Sequence, residues 1–315
     1  SVHIVKNFML RLGTRSSPLA LAQAVEVKKC IESIGVQVEI HAITTSGDKI
    51  KDKPLEPYGG KVLFTKEIEQ SLFDNEIDIA VHSVKDIELS NPYDLVIGGV
   101  LAREDPRDVF ISGNGERLLE LPSGASIGTA SPRRSAQALL CRPDVQIKLI
   151  RGNVQTRLHK VNNKDYYGTF LAAAGLNRLG LMKDTYELMP VDLWVPAVGQ
   201  GAIGIQHRNN DKLAKDIVES ISHKDSFFAI KVERAFLRGF GGSCTTPVGA
   251  YCDGVHLIAW TIIETNDKNE QLEQLFDKVA IDGLSITCAC DRAYALGREM
   301  AFKRSGSYDT YNKAL

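Results

Sequence analysis

The sequence predicts an α/β protein of two similar lobes followed by a small α+β domain, on three observations. Strand-like and helix-like segments alternate through the first two hundred of its 315 residues, the mark of α/β layers. Two strand-to-helix openings read almost alike, LGTRSSPLALAQA from Leu12 and IGTASPRRSAQALL from Ile127. From about residue 224 the texture changes to an amphipathic helix, a hairpin and a last helix. The length suits two or three domains.

Each element has a local reason. FMLRLGT reads as a strand, and SPLALAQAVEVKKCIESIG carries a helix signal in which Ser17 caps, Pro18 takes the first helical position and Gly35 ends the run. QVEIHAITT is a strand, TKEIEQSLFDNE a helix capped by Thr65, and IDIAVHSV a buried strand. The second block repeats the plan: strand SIGTA, then a helix with Ser131 as cap and Pro132 at its first position. VQIKLIRG is a strand, Asn153 caps the helix VQTRLHKV, and YYGTFLAAAGLNRLG runs strand into helix. In the last block DSFFAIKVERAFLRGF is an amphipathic helix. VGAYCDGVHLIAWTII is a hairpin turning at Asp253-Gly254, FDKVAI a strand and SITCACDRAYALGREMAFKR a helix.

Composition narrows the function classes. Apolar and charged fractions of 43% and 24% are those of an ordinary globular chain. A net charge of −1 argues against a general polyanion binder, and the longest apolar runs are too short to cross a bilayer. The opening SVHIVKNFMLRLGTR lacks the cleavage site of a secretory leader. The cysteines (30, 141, 244, 252, 288 and 290) are scattered, which suits a reducing compartment and no disulfide framework. Cys288 and Cys290 lack a second close pair, so helix packing is preferred to a metal site.

Positive charge collects where ligands bind in α/β sheets, at strand ends and helix openings. Arg15 follows a Gly-Thr turn, Arg133 and Arg134 open one helix, and Arg151 and Arg157 flank the start of another. Arg178 lies in GLNRLG and Lys85 ends the strand IAVHSVKD. No Walker loop or GxGxxG is present, so a ligand with several carboxylates fits better than a nucleotide or nucleic acid. Asp86 at a strand end suits hydrogen-bond acceptance and cation stabilisation, and equally a plain cap or ion pair. His82 reads as a satisfied core residue. Cys244, in the glycine-rich turn FGGSCTTPVGAY, looks presented and not packed.

In order along the chain, GTRSSPLALAQ, GGKVLFTKEIE, DIAVHSVKD, REDPRD, GTASPRR, RGNVQTR, AAAGLNRLG, PAVGQGA and ERAFLRGFGGSC resemble the porphobilinogen deaminase family. The likeness is collinear from about residue 10 to 250. It implies two doubly wound, periplasmic-binding-protein-like lobes plus a small α+β C-terminal domain. The domains would be 1–101 with 202–219, 107–195, and 224–315, the last carrying the Cys244 loop.

The resemblance also implies chemistry. Cys244 would carry a dipyrromethane cofactor through a thioether, and four porphobilinogen molecules would be added head to tail before hydroxymethylbilane is released. Asp86 would be catalytic. Lys85, Ser83, Thr129, Ser131, Arg133 and Arg134 would hold the cofactor. Arg15, Ser17, Arg151, Arg157, Arg178, Gln200 and Lys61 would serve the substrate and growing chain. No metal, nucleic acid or membrane partner is implied, and a cytoplasmic monomer is expected.

Four departures from the family pattern stand out. Ala130 and Pro132 replace a serine and a leucine, Val62 a glycine, and Pro57 a common lysine. Two rival readings remain at this stage: a non-catalytic polyanion-binding protein, and a transferase that uses Cys244 as a transient nucleophile.

Overall fold

The structure, a computed structural model, describes residues 8–49, 63–89, 94–242, 246–263 and 272–305. Lys61 and Cys244, with Pro57 and Val62, lie outside the described residues. The chain sorts into two compact units. One comprises Ser1–Asp105, Ala174–Leu181 and Gly201–Phe227, and the other Pro106–Ala173, Met182–Gln200 and Phe228–Leu315.

In the first unit β1 (Met9–Arg15) leads through the Ser17 cap into α1 (Pro18–Ser33), then β2 (Gln37–Ile43) and a single turn, α2 (Ser46–Lys49). After α3 (Lys66–Phe73) come β3 (Ile79–Ser83) and β4 (Leu95–Val100). The chain returns much later as β10 (Ile203–Arg208) and α7 (Lys212–Ile221). The sheet order is β2-β1-β3-β10-β4, with β1 parallel to β2 and β3, and β10 antiparallel to β3 and β4.

Apolar spacing explains the packing. Ala24, Val27 and Ile31 repeat on one face of α1 and meet Leu10, Leu12, Val38, Ile79 and Ile203 in one core. Each fully buried Val or Ile there contributes roughly 1.5–3 kcal/mol. Gly35 ends α1 at φ 87°, a left-handed position that favours glycine.

The second unit repeats the frame. Its strands are β5 (Asp108–Ser112), β6 (Ser126–Gly128), β7 (Gln146–Lys148), β8 (Gly168–Ala172) and β9 (Glu187–Leu188), in the order β7-β6-β8-β5-β9. Strand β6 is parallel to β7 and β8, while β5 is antiparallel to β8. Helices α4 (Pro132–Cys141) and α5 (Val154–Asn162) follow β6 and β7. The core stacks Phe170 on Trp194, ring centres 4.6 Å apart, beside Phe110.

The same unit holds the C-terminal layer. Here β11 (Val248–Cys252), β12 (His256–Ile262) and β13 (Gln274–Ala280) form an antiparallel sheet with α8 (Lys224–Phe240) and α9 (Ile286–Arg304). Alternation along β12 sends Leu257 and Ala259 toward Phe236, Ala293 and Met300, and sends Ile258 and Trp260 toward Ala136 and Val195. The hairpin turns at Asp253-Gly254 as expected, with Gly254 at φ 92°. Cys290 packs against the α9 core while Cys288 is exposed.

The structure differs from the sequence reading in three places. Thr65 precedes α3 (α6 being Ala173–Arg178) but makes no capping bond, because its own backbone is already helical at φ −116° and ψ −26°. VQIKLIRG contributes only the three residues of β7. Strands β4, β5, β9 and β10 and helices α2 and α7 are additional to the elements named from sequence.

Candidate active site

Parallel β1 and β3 end at the same edge of the first sheet, and there the charged residues gather. Arg15 is the last residue of β1. Ser17 follows at the mouth of α1, its Oγ accepting the Ala20 N–H at 3.3 Å. Beyond β3 the chain makes one 3-10 turn, Val84–Asp86. Val84 anchors that turn: its side chain is buried and its N–H bonds the Ala202 carbonyl at 3.0 Å. Lys85 and Asp86 are left half-buried on the turn.

A cavity of about 80 Å³ opens at this edge, lined by Arg15, Ser17, His82, Ser83, Lys85 and Asp86, with Gln23 and Phe64 on its walls. The Arg15 guanidinium lies over the Phe64 ring, 4.2 Å from its centre. Gln23 Nε2 donates to Ser83 Oγ at 2.8 Å. His82 is buried, as expected, and its Nε2 bonds Gln206 Oε1 at 2.9 Å. Burial pushes its pKa down to about 4, against the Gln206 bond and the Asp86 charge, which act the other way.

In the second unit Arg133 and Arg134 do open α4, with Ser131 Oγ accepting the Arg134 N–H at 3.3 Å and Thr129 Oγ1 accepting the Ser131 N–H at 3.1 Å. Their guanidinium groups turn inward. Arg133 Nη1 donates to Asp108 at 2.7 Å and to the Val195 carbonyl at 2.9 Å. Arg134 donates through Nη2 to Asp108 at 2.7 Å and through Nη1 to the Phe170 carbonyl at 3.0 Å. Trp194 Nε1 and Gln200 Nε2 complete the set, each 2.8 Å from Asp108. Burial alone would raise the Asp108 pKa; the charges and hydrogen bonds of the two arginines outweigh it and hold the carboxyl well below its usual range.

Asp108 was missed from sequence, where it is one of three acids in REDPRD. Gln200, read as a ligand contact, is wholly buried and donates also to the Pro106 carbonyl at 2.7 Å.

Three further arginines differ in their ties. Arg178 lies with the first unit, donating to Glu26 at 3.2 Å and to the Gly201 carbonyl at 3.1 Å. Arg157 Nε donates to the Gly152 carbonyl at 2.9 Å beside the Asn153 cap of α5. Arg151 is half-buried and has no carboxylate partner among the described residues; burial lowers its pKa.

Two like α/β lobes, one of them gathering cations, hydroxyls and a single carboxylate in a cavity at its strand edge, define the class of protein. Comparison with known proteins makes the class specific. Residues 10–216 match the family model "Porphobilinogen deaminase, dipyromethane cofactor binding domain", and residues 227–303 match "Porphobilinogen deaminase, C-terminal domain". Porphobilinogen deaminase of Syntrophomonas wolfei subsp. wolfei is 44% identical over 296 residues, covering 93% of this chain and 94% of that one. The Geobacter metallireducens enzyme is 48% identical over 244 residues, 77% of this chain and 76% of its own. A periplasmic substrate-binding protein from Coxiella burnetii overlaps 68% of this chain and 92% of its own at TM-score 0.43 and 18% identity. The chain belongs to the porphobilinogen deaminase family.

Proposed function

We propose that the chain condenses porphobilinogen head to tail onto a dipyrromethane primer joined to Cys244 through a thioether, releasing ammonia and finally hydroxymethylbilane. The observation that carries this reading is the cavity in which Asp86 shares one wall system with Arg15 and Lys85. Its donor set fits the primer. Guanidinium and ammonium suit acetate and propionate groups, the Ser17 and Ser83 hydroxyls add hydrogen bonds, and a carboxylate suits pyrrole N–H. When bound, the primer supplies the pyrrole carbon to which substrate is joined.

Asp86 accepts hydrogen bonds from pyrrole N–H groups and stabilises the positive charge that develops on substrate as ammonia leaves. A fixed carboxylate needs no reorganisation at that moment, whereas water does. Lys85, Ser83, Thr129, Ser131, Arg133 and Arg134 hold acid side chains of the primer, with Asp108 fixing the two guanidinium groups. Arg15, Ser17, Lys61, Arg151 and Arg157 take the incoming unit and the chain. Two assignments narrow: the internal bonds of Gln200 and Arg178 make them positioning residues in this reading.

The division into 1–101 with 202–219, 107–195 and 224–315 belongs to the same reading, supported by a separate core on each of the three sheets. So does a monomer acting in the cytoplasm. No helix of the described residues is long and apolar enough to cross a membrane.

Intact mass of the denatured protein tests the anchor: an excess of two condensed pyrrole units, lost in Cys244→Ser, is expected. Asp86→Asn should keep both fold and primer while turnover falls by about two to three orders of magnitude. Near-normal turnover would strip Asp86 of its role.

A further inference from the structure

The cavity wall contains a group that the chemistry above leaves unused. His82 on β3 is 6% exposed and borders the cavity of Arg15, Lys85 and Asp86. Its Nε2 is 2.9 Å from Gln206 Oε1, and Gln206 Nε2 donates to Glu69 Oε1 at 3.0 Å. The three residues come from β3, β10 and α3, and Gly204 stands directly opposite His82 in the sheet.

This chain of bonds has a direction. A carboxylate only accepts, so Glu69 turns the Gln206 amide with its NH₂ toward itself and its oxygen toward His82. The imidazole therefore carries its proton on Nε2, and Nδ1 is left with a bare lone pair. Among the described residues Nδ1 makes no hydrogen bond, and it is not one of their sealed-in polar atoms lacking a partner. An acceptor that is neither satisfied nor walled off faces accessible space, and the space His82 borders is the cavity. Burial keeps the ring neutral near pH 7.

Resting on the proposed function, we propose that His82 Nδ1 is a second, neutral acceptor in this cavity, receiving an N–H of the pyrrole ligand. Gln206 and Glu69 are then positioning residues that hold its tautomer. The division of labour is chemical: Asp86 brings negative charge for a developing cation, and His82 orients an N–H donor without adding charge.

Protein labelled with ¹⁵N-histidine tests this in three samples: as purified, as Cys244→Ser, and as purified with saturating porphobilinogen. The His82 signals are assigned by their loss in His82→Phe. Nδ1 should show the shift of an unprotonated nitrogen and move in at least one comparison, while Nε2 stays constant. Movement between the first two samples assigns the donor to the primer; movement on adding porphobilinogen assigns it to substrate. A proton on Nδ1, or a shift unchanged across all three, overturns the proposal. Gln206→Leu should mix the tautomers and raise KM about fivefold with a smaller change in kcat, the effect of one neutral hydrogen bond. The mass of each sample separates the outcomes. Two pyrrole units present with an immobile Nδ1 sinks this inference alone, and their absence from the purified protein sinks the proposed function.

Discussion

The two lobes share a frame and fill it differently. Each sets one strand, β1 or β6, between two parallel neighbours, adds an antiparallel strand beyond them, and starts a helix with Ser-Pro after that central strand. In each, the antiparallel strand carries a buried polar residue that ties the lobe together. In the first lobe it is Gln206 on β10, part of a relay with no net ion pair at its centre. In the second it is Asp108 at the start of β5, an ionic hub with four side-chain donors. Arginines after the second Ser-Pro cap turn inward because a carboxylate waits there. The first lobe has Leu19 and Ala20 in their place, and its cations line a cavity instead. Similar backbones therefore hold their cations differently, and only the polar filling shows how.

The largest effect is expected from breaking the hub. Asp108→Ala leaves two guanidinium groups buried without their counter-charge, a change that costs about 3–5 kcal/mol. Asp108→Asn keeps the shape and part of the hydrogen bonding, so its loss should be smaller. Denaturant titration of both variants checks the order. Equal, small losses would mean that the arginines find other partners and that the hub is not what orients them.

Acid separates the lobes by a smaller margin. His82 has its pKa lowered from 6.5 to about 4, so the folded lobe holds it neutral while the unfolded chain takes up the proton. That contribution is complete above about pH 6.5 and falls away as pH drops toward 4, by about 3 kcal/mol in all. Glu69 works the other way. Burial raises its pKa, so its protonated form favours the fold in acid and offsets part of the loss. Asp108, held well below its usual range, loses nothing in this window. Hydrogen exchange corrected for intrinsic rates should show β3 and β10 losing protection between pH 6.5 and 4.5 while β5 and β8 keep theirs. Parallel loss in both lobes would contradict the distinction.

Much of the frame was legible because its causes are local. Ser17, Ser131 and Asn153 each accept the N–H that a capping residue should, and the hairpin turns where Asp-Gly allows it. The strand-edge position of Arg15, Lys85 and Asp86 followed from the same reading. What escaped it are partners far apart in sequence. Nothing near Asp108 says that residues 133, 134, 194 and 200 will converge on it, or that of the acids in REDPRD this one is the buried one. Helix N-termini attract anions, which made Arg133 and Arg134 read as open to a ligand. The carboxylate that fixes them, Asp108, is part of the fold. Likewise His82 reads as a core residue from its place beside Val81, and only Gln206, 124 residues on, shows which nitrogen is engaged.

The smallest effect is the one that most finely separates structure from binding. Ser17 and Ser131 cap α1 and α4 with the same geometry, each Oγ 3.3 Å from the N–H it accepts. As caps alone they are equivalent, and replacement by alanine should cost about 1 kcal/mol in either lobe. Glycine is a tolerable cap that lacks the hydroxyl, so Ser17→Gly and Ser131→Gly should each lose only a few tenths of a kcal/mol. Steady-state kinetics on the glycine variants then isolates the hydroxyl. Ser17 lines the cavity, so Ser17→Gly should raise KM severalfold although its stability is nearly restored. If KM recovers together with stability, Ser17 is a cap and nothing more, and the ligand contacts of the first lobe reduce to its charged groups and Ser83.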